Sequence, residues 1–396
     1  MITRRITSLH VTQSFIVMTY HDLQDKKWYT SKLSIEALEE KYRKITARPV
    51  YLSLKRFFIR LLNWEYWPFN VIYAPILFYW FWLSFKSRSI FFFNTASPLI
   101  KNGGFVMESK WLIYELMPRQ YCPLTLLFKC GTNMLSVMNA VNHNSLKFPL
   151  IAKPDVGSKG VLVKKVNNEN ELADYVNKMK VDFLLQAYIE YKNEIGILYY
   201  RIPGEERGRI SGMVGKEFLK VTGDGKSSIA ELIINEPRSL LQLAVLKNIY
   251  GNILQAVLNL GEEYMMVPYG NHARGARFID MSDQVTDQLT RTIDHVCRQI
   301  PGFYFGRMDI MYDNWEELNA GKNFSIVELN GAGSEPTHIY DPAHSIFFAY
   351  KEIIWHLKVL NQISAGNRQR EGLRYMNYRE GMAMLKNNAR YLKLVS

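Results

Sequence analysis

Cysteine is scarce in this chain of 396 residues. Its three cysteines, Cys122, Cys130 and Cys297, form no Cys-x-x-Cys pair, and no His/Cys cluster has the spacing of zinc ligands. The scarcity excludes a disulfide framework, and the spacing excludes a structural zinc site. So few cysteines favour a reducing, cytoplasmic compartment.

Several other patterns are also missing. Residues 1–22 are basic at the front but have no continuous apolar stretch and no A-x-A-like cleavage site, so we do not expect a secretory signal peptide, and residues 1–50 stay unassigned. The order G-x-x-x-x-G-K-[ST] is absent, which excludes a Walker A loop. The chain has neither a recognised nucleic-acid-binding motif nor a basic patch interleaved with aromatic residues, so nucleic acid is not an expected partner.

The composition is that of a folded, basic protein. Hydrophobic residues make up 48% and charged residues 22% of the chain, enough for a sizeable core in two or three domains. The formal net charge of +12 favours anionic partners, such as nucleotide phosphates or anionic lipid headgroups. Short β-rich runs alternate with helical ones from about residue 148 onward, so we expect an α+β fold with long antiparallel stretches.

An aromatic run without any charge extends from Tyr66 to Phe85, with lysine and arginine residues on both sides. A membrane-spanning helix needs about 20 apolar residues, so the length is borderline. Pro68 and Pro75 interrupt the helix, and Trp and Tyr rings prefer the headgroup interface to the hydrocarbon centre. The run favours an interfacial or re-entrant segment, peripheral at the inner face of a membrane. A true span and a buried core hairpin remain open.

These features divide the chain into five segments. The basic aromatic part at 51–88 follows the unassigned residues 1–50, a reduced region at 89–145 precedes the main domain at 146–360, and a basic helix is expected at 361–396. We also expect a short strand over Ser89–Asn94 and a helix over Glu108–Met117, which ends before Pro118. The carboxy-terminal helix has two interpretations, packing on the main domain or lying on a membrane surface.

Two neighbouring strands carry the strongest chemical signal. Because side chains alternate along a strand, Glu328 and Asn330 point the same way, and Asp309 on the adjacent strand can join them. Two carboxylates and an amide suit magnesium, which prefers oxygen ligands and keeps positions for water and phosphate. Arg307 shares the face of Asp309, where its guanidinium can bind a phosphoryl group. Simple surface ion pairs are disfavoured, because acidic residues inside apolar strands are costly without partners.

Two further motifs suit a nucleotide. Lys153 ends an apolar strand and is followed by the turn Gly157–Gly160, which makes a hairpin whose backbone N–H groups can close over phosphates. Farther along, the apolar strand end at 184–189 can bind adenine through its main chain, and the carboxylate of Glu194 can bind ribose hydroxyls. Each motif is weak alone, and both gain weight beside the metal strands.

In order and spacing, these motifs resemble the ATP-grasp family over about residues 105–350, in particular its D-alanine:D-alanine ligase-like and glutathione or cyanophycin synthetase-like branches. The resemblance implies two α+β subdomains that clasp ATP. It implies that Asp309, Glu328 and Asn330 hold Mg²⁺, as two ions, and that Arg307 and, in the acceptor loop, Arg274 are catalytic. It also implies ATP-binding roles for Lys110, Lys153, Gly157, Ser158, Lys159, Gly160, Gln186, Ala187, Tyr188, Ile189 and Glu194.

The activity implied by the resemblance is that of an ATP-dependent carboxylate–amine ligase. A substrate carboxylate would attack the γ-phosphorus of Mg-ATP, and an amine would then displace phosphate from the acyl phosphate. The partners would be ATP, a carboxylate donor and an amine acceptor, and the aromatic run indicates a lipid-linked or cell-envelope substrate. The competing hypothesis is a catalytically silent nucleotide-binding protein at the membrane, which would have no need to keep Arg307 and the three metal-type residues together.

Three features depart from the family pattern. Gln186 and Ala187 stand where the family often has an acid and a lysine. His338 and Tyr340 follow the segment Gly333–Pro336, where peptide ligases have a Ser/Gly substrate loop. The amino-terminal α/β domain is reduced to a remnant. These departures concern the contacts to adenine and the identity of the substrates.

Overall fold

The computed structural model describes residues 49–157, 160–267 and 275–395, and the expectations for residues 1–48 and for Ser158, Lys159 and Arg274 lie outside these ranges. The α-helices are α1 (Pro49–Leu62), α2 (Phe69–Tyr73), α3 (Ile76–Ser87), α4 (Lys110–Leu116), α5 (Met134–His143), α6 (Glu169–Lys178), α7 (Ile229–Asn235), α8 (Pro237–Tyr250), α9 (Asp287–Arg298), α10 (Trp315–Asn319), α11 (Ile346–Glu371) and α12 (Tyr378–Val395). The strands are β1 (Thr125–Phe128), β2 (Leu150–Pro154), β3 (Lys164–Val166), β4 (Phe183–Ala187), β5 (Asn193–Tyr200), β6 (Arg209–Glu217), β7 (Leu219–Thr222), β8 (Glu263–Val267), β9 (Arg277–Asp280), β10 (Phe305–Tyr312) and β11 (Phe324–Asn330).

The described strands form three sheets, in the orders β1-β4-β2-β3, β11-β10-β5-β6-β9 and β7-β8. The strands run antiparallel in the neighbouring pairs β1–β4, β4–β2, β2–β3, β11–β10, β10–β5, β5–β6 and β7–β8. Helices and antiparallel sheets alternate along the chain, so the expected α+β class is confirmed.

The chain divides into two compact units. The first combines the described residues up to Trp67 with Glu217–Arg277, and the second combines Pro68–Lys216 with the residues from Phe278 onward. These units do not follow the five sequence segments, because they reflect contacts in space rather than composition along the chain. The segment boundaries remain a prediction about domains.

The first unit packs helices on the two-stranded sheet. Helix α7 begins with a capping box, in which the side chains of Ser228 and Glu231 each accept from the other residue's backbone N–H. Helix α8 begins with Pro237, whose missing N–H would have no helical partner at this position in any case. The core of the unit includes Leu52 of α1 and, among others, Ile229, Ile233, Leu240, Leu246 and Met266.

The four-stranded sheet belongs to the second unit. Strand β2 lies between β4 and β3, so its position is fixed on both sides by backbone hydrogen bonds. Helices α5 and α6 bury their apolar residues with those of the sheet, including Val137, Val141, Leu172, Val176 and Leu185. This sheet therefore gives Lys153, near the end of β2, a rigid support.

The five-stranded sheet has one apolar and one polar face. Ile195, Ile197, Met308 and Ile310 lie on the apolar face and pack with residues of α9 in the largest core of the unit. The residues between them on the same strands point to the opposite side. The polar side chains expected from the sequence, Asp309 among them, lie on that opposite face.

The aromatic run folds as short, separate helices. A 3₁₀ turn, Trp64–Tyr66, is followed by α2 after Pro68 and by α3 after Pro75. Helix α3 has 12 residues and is about 18 Å long, well short of the roughly 30 Å hydrocarbon core of a bilayer. Among the described residues, no helix is long and apolar enough to cross a membrane. The continuous helix that a true span would need is not formed over this run, because a new helix begins after each proline.

Helix α3 has one buried and one exposed face. Ile76, Leu83 and Ser84 are buried, and Leu83 packs with Phe92 and with residues of α11. The alternative of a buried core hairpin therefore applies only to the buried face of α3. The opposite face exposes Leu77, Phe78, Phe81, Trp82 and Phe85.

The strand expected over Ser89–Asn94 is not formed. Phe92–Thr95 is a 3₁₀ helix, and Phe91 makes an isolated bridge to Met376. Phe92 and Phe93 are 0% and 1% exposed, and both enter the same core. Successive side chains of a strand would point to opposite faces, so the tighter turn buries more apolar area here. The helix expected over Glu108–Met117 is confirmed as α4.

The basic helix expected at 361–396 is two elements. Helix α11 continues to Glu371 and ends at Gly372, which has a left-handed backbone with φ 64°. Glycine adopts this conformation without steric cost and is a common helix terminator. A separate helix, α12, then begins at Tyr378 and buries Met384 and Val395. This packing favours the interpretation in which the carboxy-terminal helix covers the domain.

Candidate active site

The polar face of the five-stranded sheet carries the residues that were expected to bind metal. In the register of β10 and β11, Asp309 lies opposite Glu328, and Arg307 lies opposite Asn330. Directly opposed residues of an antiparallel pair share a face, with Cβ atoms about 5 Å apart. The expectation that these four side chains share one face of the sheet is therefore met. Their roles remain a proposal.

Asp309 and Glu328 are both paired with cations. Arg307 makes a two-pronged contact with Asp309, with Nε 3.0 Å from Oδ1 and Nη2 3.3 Å from Oδ2. Lys216 Nζ lies 3.3 Å from Asp309 Oδ2 and 2.5 Å from Glu194 Oε1. On the other strand, Lys110 Nζ lies 3.1 Å from Glu328 Oε1. Each of these carboxylates is thus paired with a cation.

The ion pairs set the protonation states of the two carboxyl groups. Burial would raise the pKa of Asp309, but Arg307 and Lys216 outweigh it and hold the pKa below its usual range. Burial would also raise the pKa of Glu328, and Lys110 makes the largest contribution that lowers it below the usual range. Both groups are therefore carboxylates at neutral pH, the form that a metal ion requires.

Lys153 differs from the other cations of the site. It is 6% exposed, and its Nζ donates to Gln186 Oε1 at 2.8 Å, Tyr114 Oη at 2.9 Å and the Val327 carbonyl at 3.2 Å. All three acceptors are neutral. Burial lowers the pKa of Lys153 to about 7, and this effect outweighs the attraction of Glu328. A bound anion such as a phosphate would restore the charged form.

Helix α4 positions Lys110. Ser109 caps the helix by accepting from the N–H of Leu112, and its hydroxyl donates to Asp155 Oδ1 at 2.9 Å. The Lys110 backbone N–H donates to the Asp155 carbonyl at 3.0 Å, which ties the helix to the chain just after β2. From this start, Lys110 Nζ reaches the Gly157 carbonyl at 2.7 Å as well as Glu328.

The residues that were expected to bind adenine and ribose differ in their burial and in their partners. Gln186 is 2% exposed, and its amide donates to Thr125 Oγ1 at 2.8 Å while its carbonyl accepts from Lys153. Its side chain therefore holds Lys153 in place. Ala187 is the last paired residue of β4, and Tyr188 and Ile189 follow it. The Tyr188 ring lies under Lys165, with Nζ 3.6 Å from the ring centroid.

The remaining expected residues lie around the same two sheets or outside the described ranges. Glu194 is paired with Lys216. Gly157 accepts from Lys110, and Gly160 has a left-handed backbone with φ 68°. Ser158, Lys159 and Arg274 lie outside the described part of the chain.

Sequence reasoning missed two side chains of the site. Lys216 lies near the end of β6, opposite β5, and Tyr114 comes from α4, with its hydroxyl donating to the Val327 carbonyl. The signal for Lys216 was a single lysine that follows the apolar and glycine residues Gly212–Gly215 near the end of the strand. Tyr114 has the helical spacing of a core residue, and nothing in the sequence separates its hydroxyl from other buried tyrosines.

The donor set fits magnesium. Within the described ranges, no three His, Cys, Asp or Glu side chains converge as a metal cluster. The oxygen donors on this face of the sheet are Asp309, Glu328 and Asn330. Magnesium commonly takes one or two protein carboxylates and fills its other positions with water and substrate phosphates. These residues are therefore able to hold it.

The comparisons with known proteins are confined to solved structures, since no protein-family model and no curated protein matches the chain. A bifunctional glutathione synthetase from Pasteurella multocida has 15% identity and a TM-score of 0.35, over 65% of this chain and 38% of that one. A D-Ala:D-Ser ligase from Enterococcus faecalis has 14% identity and a TM-score of 0.36, over 65% of this chain and 60% of that one.

A D-alanine–D-alanine ligase from Bacillus anthracis complexed with ATP has 13% identity and a TM-score of 0.38, over 66% of this chain and 67% of that one. The chain thus spans less than two thirds of the first two of these proteins. At such low identities and TM-scores the likeness assigns no activity, which has to be inferred from the side chains. The chain resembles ATP-grasp ligases in its motifs, and the three solved structures named here are a glutathione synthetase and two ligases.

Proposed function

We propose that this protein is an ATP-dependent carboxylate–amine ligase that acts through an acyl phosphate with Mg-ATP. The observation that carries the proposal is the meeting of four cations, Lys110, Lys153, Lys216 and Arg307, around the opposed carboxylates Asp309 and Glu328. Four cations and three carboxylates, Glu194 included, leave a site that is suited to a polyanion with its metal.

The cations would act on the phosphates. Lys153 now has neutral acceptors only, so a phosphate oxygen would give it the counter-charge that it lacks. Arg307 is half-buried beside Asp309, and the charge of Asp309 raises the pKa of Arg307 although burial alone would lower it. It therefore stays charged and can stabilise the transferring phosphoryl group. Mg²⁺, when held by Asp309, Glu328 and Asn330, would neutralise further phosphate charge.

The proposed reaction has two steps. A carboxylate oxygen of the first substrate attacks the γ-phosphorus, the bond to the bridging oxygen breaks, and ADP leaves. The nitrogen of an amine then attacks the acyl carbon, the carbon–oxygen bond to phosphate breaks, and an amide, inorganic phosphate and a proton are formed. Positioning and charge stabilisation supply the catalysis, so no protein nucleophile is needed.

The finer assignments belong to the same proposal. Adenine would bind at Gln186–Ile189 and ribose at Glu194, with Gly157–Gly160 over the phosphates and Arg274 beside the acyl phosphate. Because the Gln186 side chain holds Lys153, the adenine contacts would come from the main chain after Ala187. A D-alanine:D-alanine ligase-like reaction is the specific form that we propose, and two metal ions would accompany the nucleotide.

The test combines a trap with two metal-ligand variants. Purified protein is incubated with ATP, Mg²⁺, hydroxylamine and a library of carboxylic acids, and hydroxamates and ADP are measured. Asp309→Asn and Glu328→Gln should each abolish ADP formation, because each removes a carboxylate of the proposed metal set. Glu205→Gln is the matched control, since Glu205 forms an exposed surface pair with Arg209. Full activity in either metal-ligand variant would overturn the assignment.

One observation favours a second candidate function. The carboxylates of Asp309 and Glu328 already form ion pairs with protein cations. The same pairing is expected in a nucleotide-binding protein at the membrane that has no catalytic activity. Binding of ATP without ADP formation for any acid in the library would favour this silent form.

We also infer that the exposed face of α3 lies on an anionic membrane surface, at the inner side of the cell membrane. Phe78 is 81% and Phe85 is 85% exposed, and Lys86 lies near the Trp82 ring at the end of the helix. Interfacial helices bury such aromatic faces beside basic residues. The expected result is sedimentation with anionic vesicles that the double variant Phe78→Asp/Phe85→Asp abolishes. Leu135→Asp, at a residue 72% exposed on α5, should still sediment; equal sedimentation of both variants would contradict the inference.

A further inference from the structure

Glu335 is a carboxylate next to the site that none of the roles above uses. It follows the turn at the end of β11, the strand that carries Glu328 and Asn330. Glu335 Oε1 accepts hydrogen bonds from the hydroxyl of Tyr73 at 2.7 Å and from that of Tyr340 at 3.2 Å. In the described part of the chain, both of these hydrogen bonds fall on the same oxygen of the carboxylate.

The turn that carries Glu335 is held firmly. Ser334 Oγ accepts from the Arg307 backbone N–H at 3.1 Å and lies 2.7 Å from the Gly331 carbonyl. On its other side, the backbone N–H of Gly333 donates to the Gly104 carbonyl at 2.8 Å. A Cβ atom at Gly333 would lie 2.3 Å from the carbonyl oxygen of Phe105, so the two chain segments are in direct contact. The carboxylate is therefore fixed before any ligand binds.

The charge of Glu335 acts on the phosphoryl-binding arginine. Burial lowers the pKa of Arg307, and Glu335 is one of the acids that together raise it above its usual range. Burial raises the pKa of Tyr73 and of Tyr340, and the adjacent Glu335 raises both further. The two tyrosines therefore stay protonated and donate to the carboxylate, which leaves its second oxygen to accept from a ligand.

Tyr73 gives the aromatic run a place in this site. It is the last residue of α2, and its ring stacks on Phe69 with centroids 4.2 Å apart. The aromatic run, for which an interfacial membrane segment is the favoured prediction, thus delivers a hydroxyl to the turn after β11. The segment and the turn together form a polar corner beside Arg307.

We propose that Glu335, held by Tyr73 and Tyr340, binds the primary amine of the acceptor substrate, in its ammonium or free form. A carboxylate only accepts hydrogen bonds, and an ammonium group only donates them, with opposite charge. The Tyr73 hydroxyl donates to Glu335 and keeps a lone pair that can accept a second N–H. The role of the amine as acceptor rests on the proposed ligase function, whereas amine binding does not.

The experiment measures binding without turnover. Ligand-observed NMR titrations of the full chain, with a non-hydrolysable ATP analogue and Mg²⁺, use ammonia, ethanolamine, glycine, D-alanine and L-lysine as probes. At least one amine should bind, and Glu335→Gln should raise its Kd at least tenfold. Tyr73→Phe should raise it about threefold, because one of two donors is lost while the fold is kept. Glu371→Gln is the matched control, since Glu371 accepts from a tyrosine hydroxyl at a surface.

The outcomes separate the two proposals. No binding of any probe by the wild type, or equal binding by Glu335→Gln, would overturn the amine site. If the protein forms ADP, but the wild type and Glu335→Gln bind the amine equally, the amine site is overturned and the ligase proposal stands. Glu335-dependent amine binding by a protein that forms no ADP with any acid would support the amine site and overturn the ligase.

Discussion

At the scale of single residues, the site is a set of buried charges whose partners decide their state. Asp309 and Glu328 have cations within about 3 Å, whereas Lys153 has neutral partners only. A buried charge without a counter-charge destabilises the folded state and favours binding of an opposite charge. Lys153 should therefore weaken the free protein and strengthen its complex with a polyanion.

The first prediction concerns the stability of the variant Lys153→Met. Burial lowers the folded-state pKa to about 7, below the usual value near 10.5. Below pH 7 the lysine is protonated in both states and its full cost is present, about 5 kcal/mol as an upper limit. Between pH 7 and 10.5 only the unfolded state keeps the proton, so the cost falls as the pH rises.

Urea unfolding should show Lys153→Met to be more stable than the wild type at pH 6.5, with a smaller difference at pH 9.5. ATP binding should weaken at least tenfold in the same variant. A loss of stability that is equal at both pH values would contradict the pKa assignment. Lys220→Met, at a half-exposed lysine paired with Glu263, should change neither property.

The residues that sequence could predict are those whose relation is local. Alternation along β10 and β11 was enough to place Arg307 with Asp309, and Glu328 with Asn330, on single faces. Lys216, Tyr114 and Glu335 escaped because their partners are distant in sequence, as with Lys216 and Asp309 or Tyr73 and Glu335. Such pairs depend on sheet order and on helix packing, which a local pattern does not contain.

At the scale of elements, the turn after β11 is built against the 3₁₀ segment Lys101–Gly104. The Ala332 N–H donates to the Gly103 carbonyl at 3.0 Å, and a Cβ atom on Gly104 would lie 2.5 Å from Gly331 Cα. Backbone meets backbone at this point, with no side chain that could move aside. This contact fixes the path of the chain from Asn330 to Glu335.

The second prediction concerns Gly104→Ala. The position combines a φ of +75° with the short approach to Gly331, so the variant should lose about 3 kcal/mol or more of unfolding free energy. The matched control is Gly131→Ala, where φ is +84° but nothing lies within 4 Å of the added Cβ. Only the backbone cost of about 1 kcal/mol is expected there. Equal losses in the two variants, measured by urea unfolding, would show that the close contact has no energetic weight.

Elements with a clear local pattern were predictable, and those decided by packing were not. The helix α4 and the strands β10 and β11 follow from their spacing and end signals. The failed strand at Ser89–Asn94 has high β propensity, but Phe92 and Phe93 both enter one core and require a tighter turn. Propensity could not foresee this, because the burial comes from Ile363 and other residues far along the chain.

At the scale of the whole molecule, stability in acid depends on groups that must lose their native protonation state. His356 is 4% exposed, with Nδ1 2.7 Å from the Glu352 carbonyl and Nε2 3.0 Å from Ser211 Oγ. Burial lowers its pKa to about 4, and His338 lowers it further while Glu352 acts in the opposite sense. The histidine is thus neutral in the folded state.

The third prediction concerns the loss of stability at acidic pH. The unfolded state takes up the proton near pH 6.5 and the folded state only near pH 4, so stability falls as the pH drops through this window. The loss from His356 alone is on the order of 3 kcal/mol. His356→Gln should lose less stability than the wild type between pH 7 and pH 4.5, as measured by urea midpoints. An identical pH dependence in both proteins would remove His356 from the explanation.

A last consequence follows from Lys110, which holds the Gly157 carbonyl and Glu328 at the same time. One ammonium group thereby joins the chain after β2 to the strand β11. Neutralising the acid in Glu328→Gln should free the lysine and loosen its hold on Gly157. Amide hydrogen–deuterium exchange at Val156 and Gly157 should then speed up in this variant without nucleotide, although the substitution lies on another sheet. Unchanged exchange at Val156 and Gly157 would mean that Lys110 holds the Gly157 carbonyl without help from Glu328.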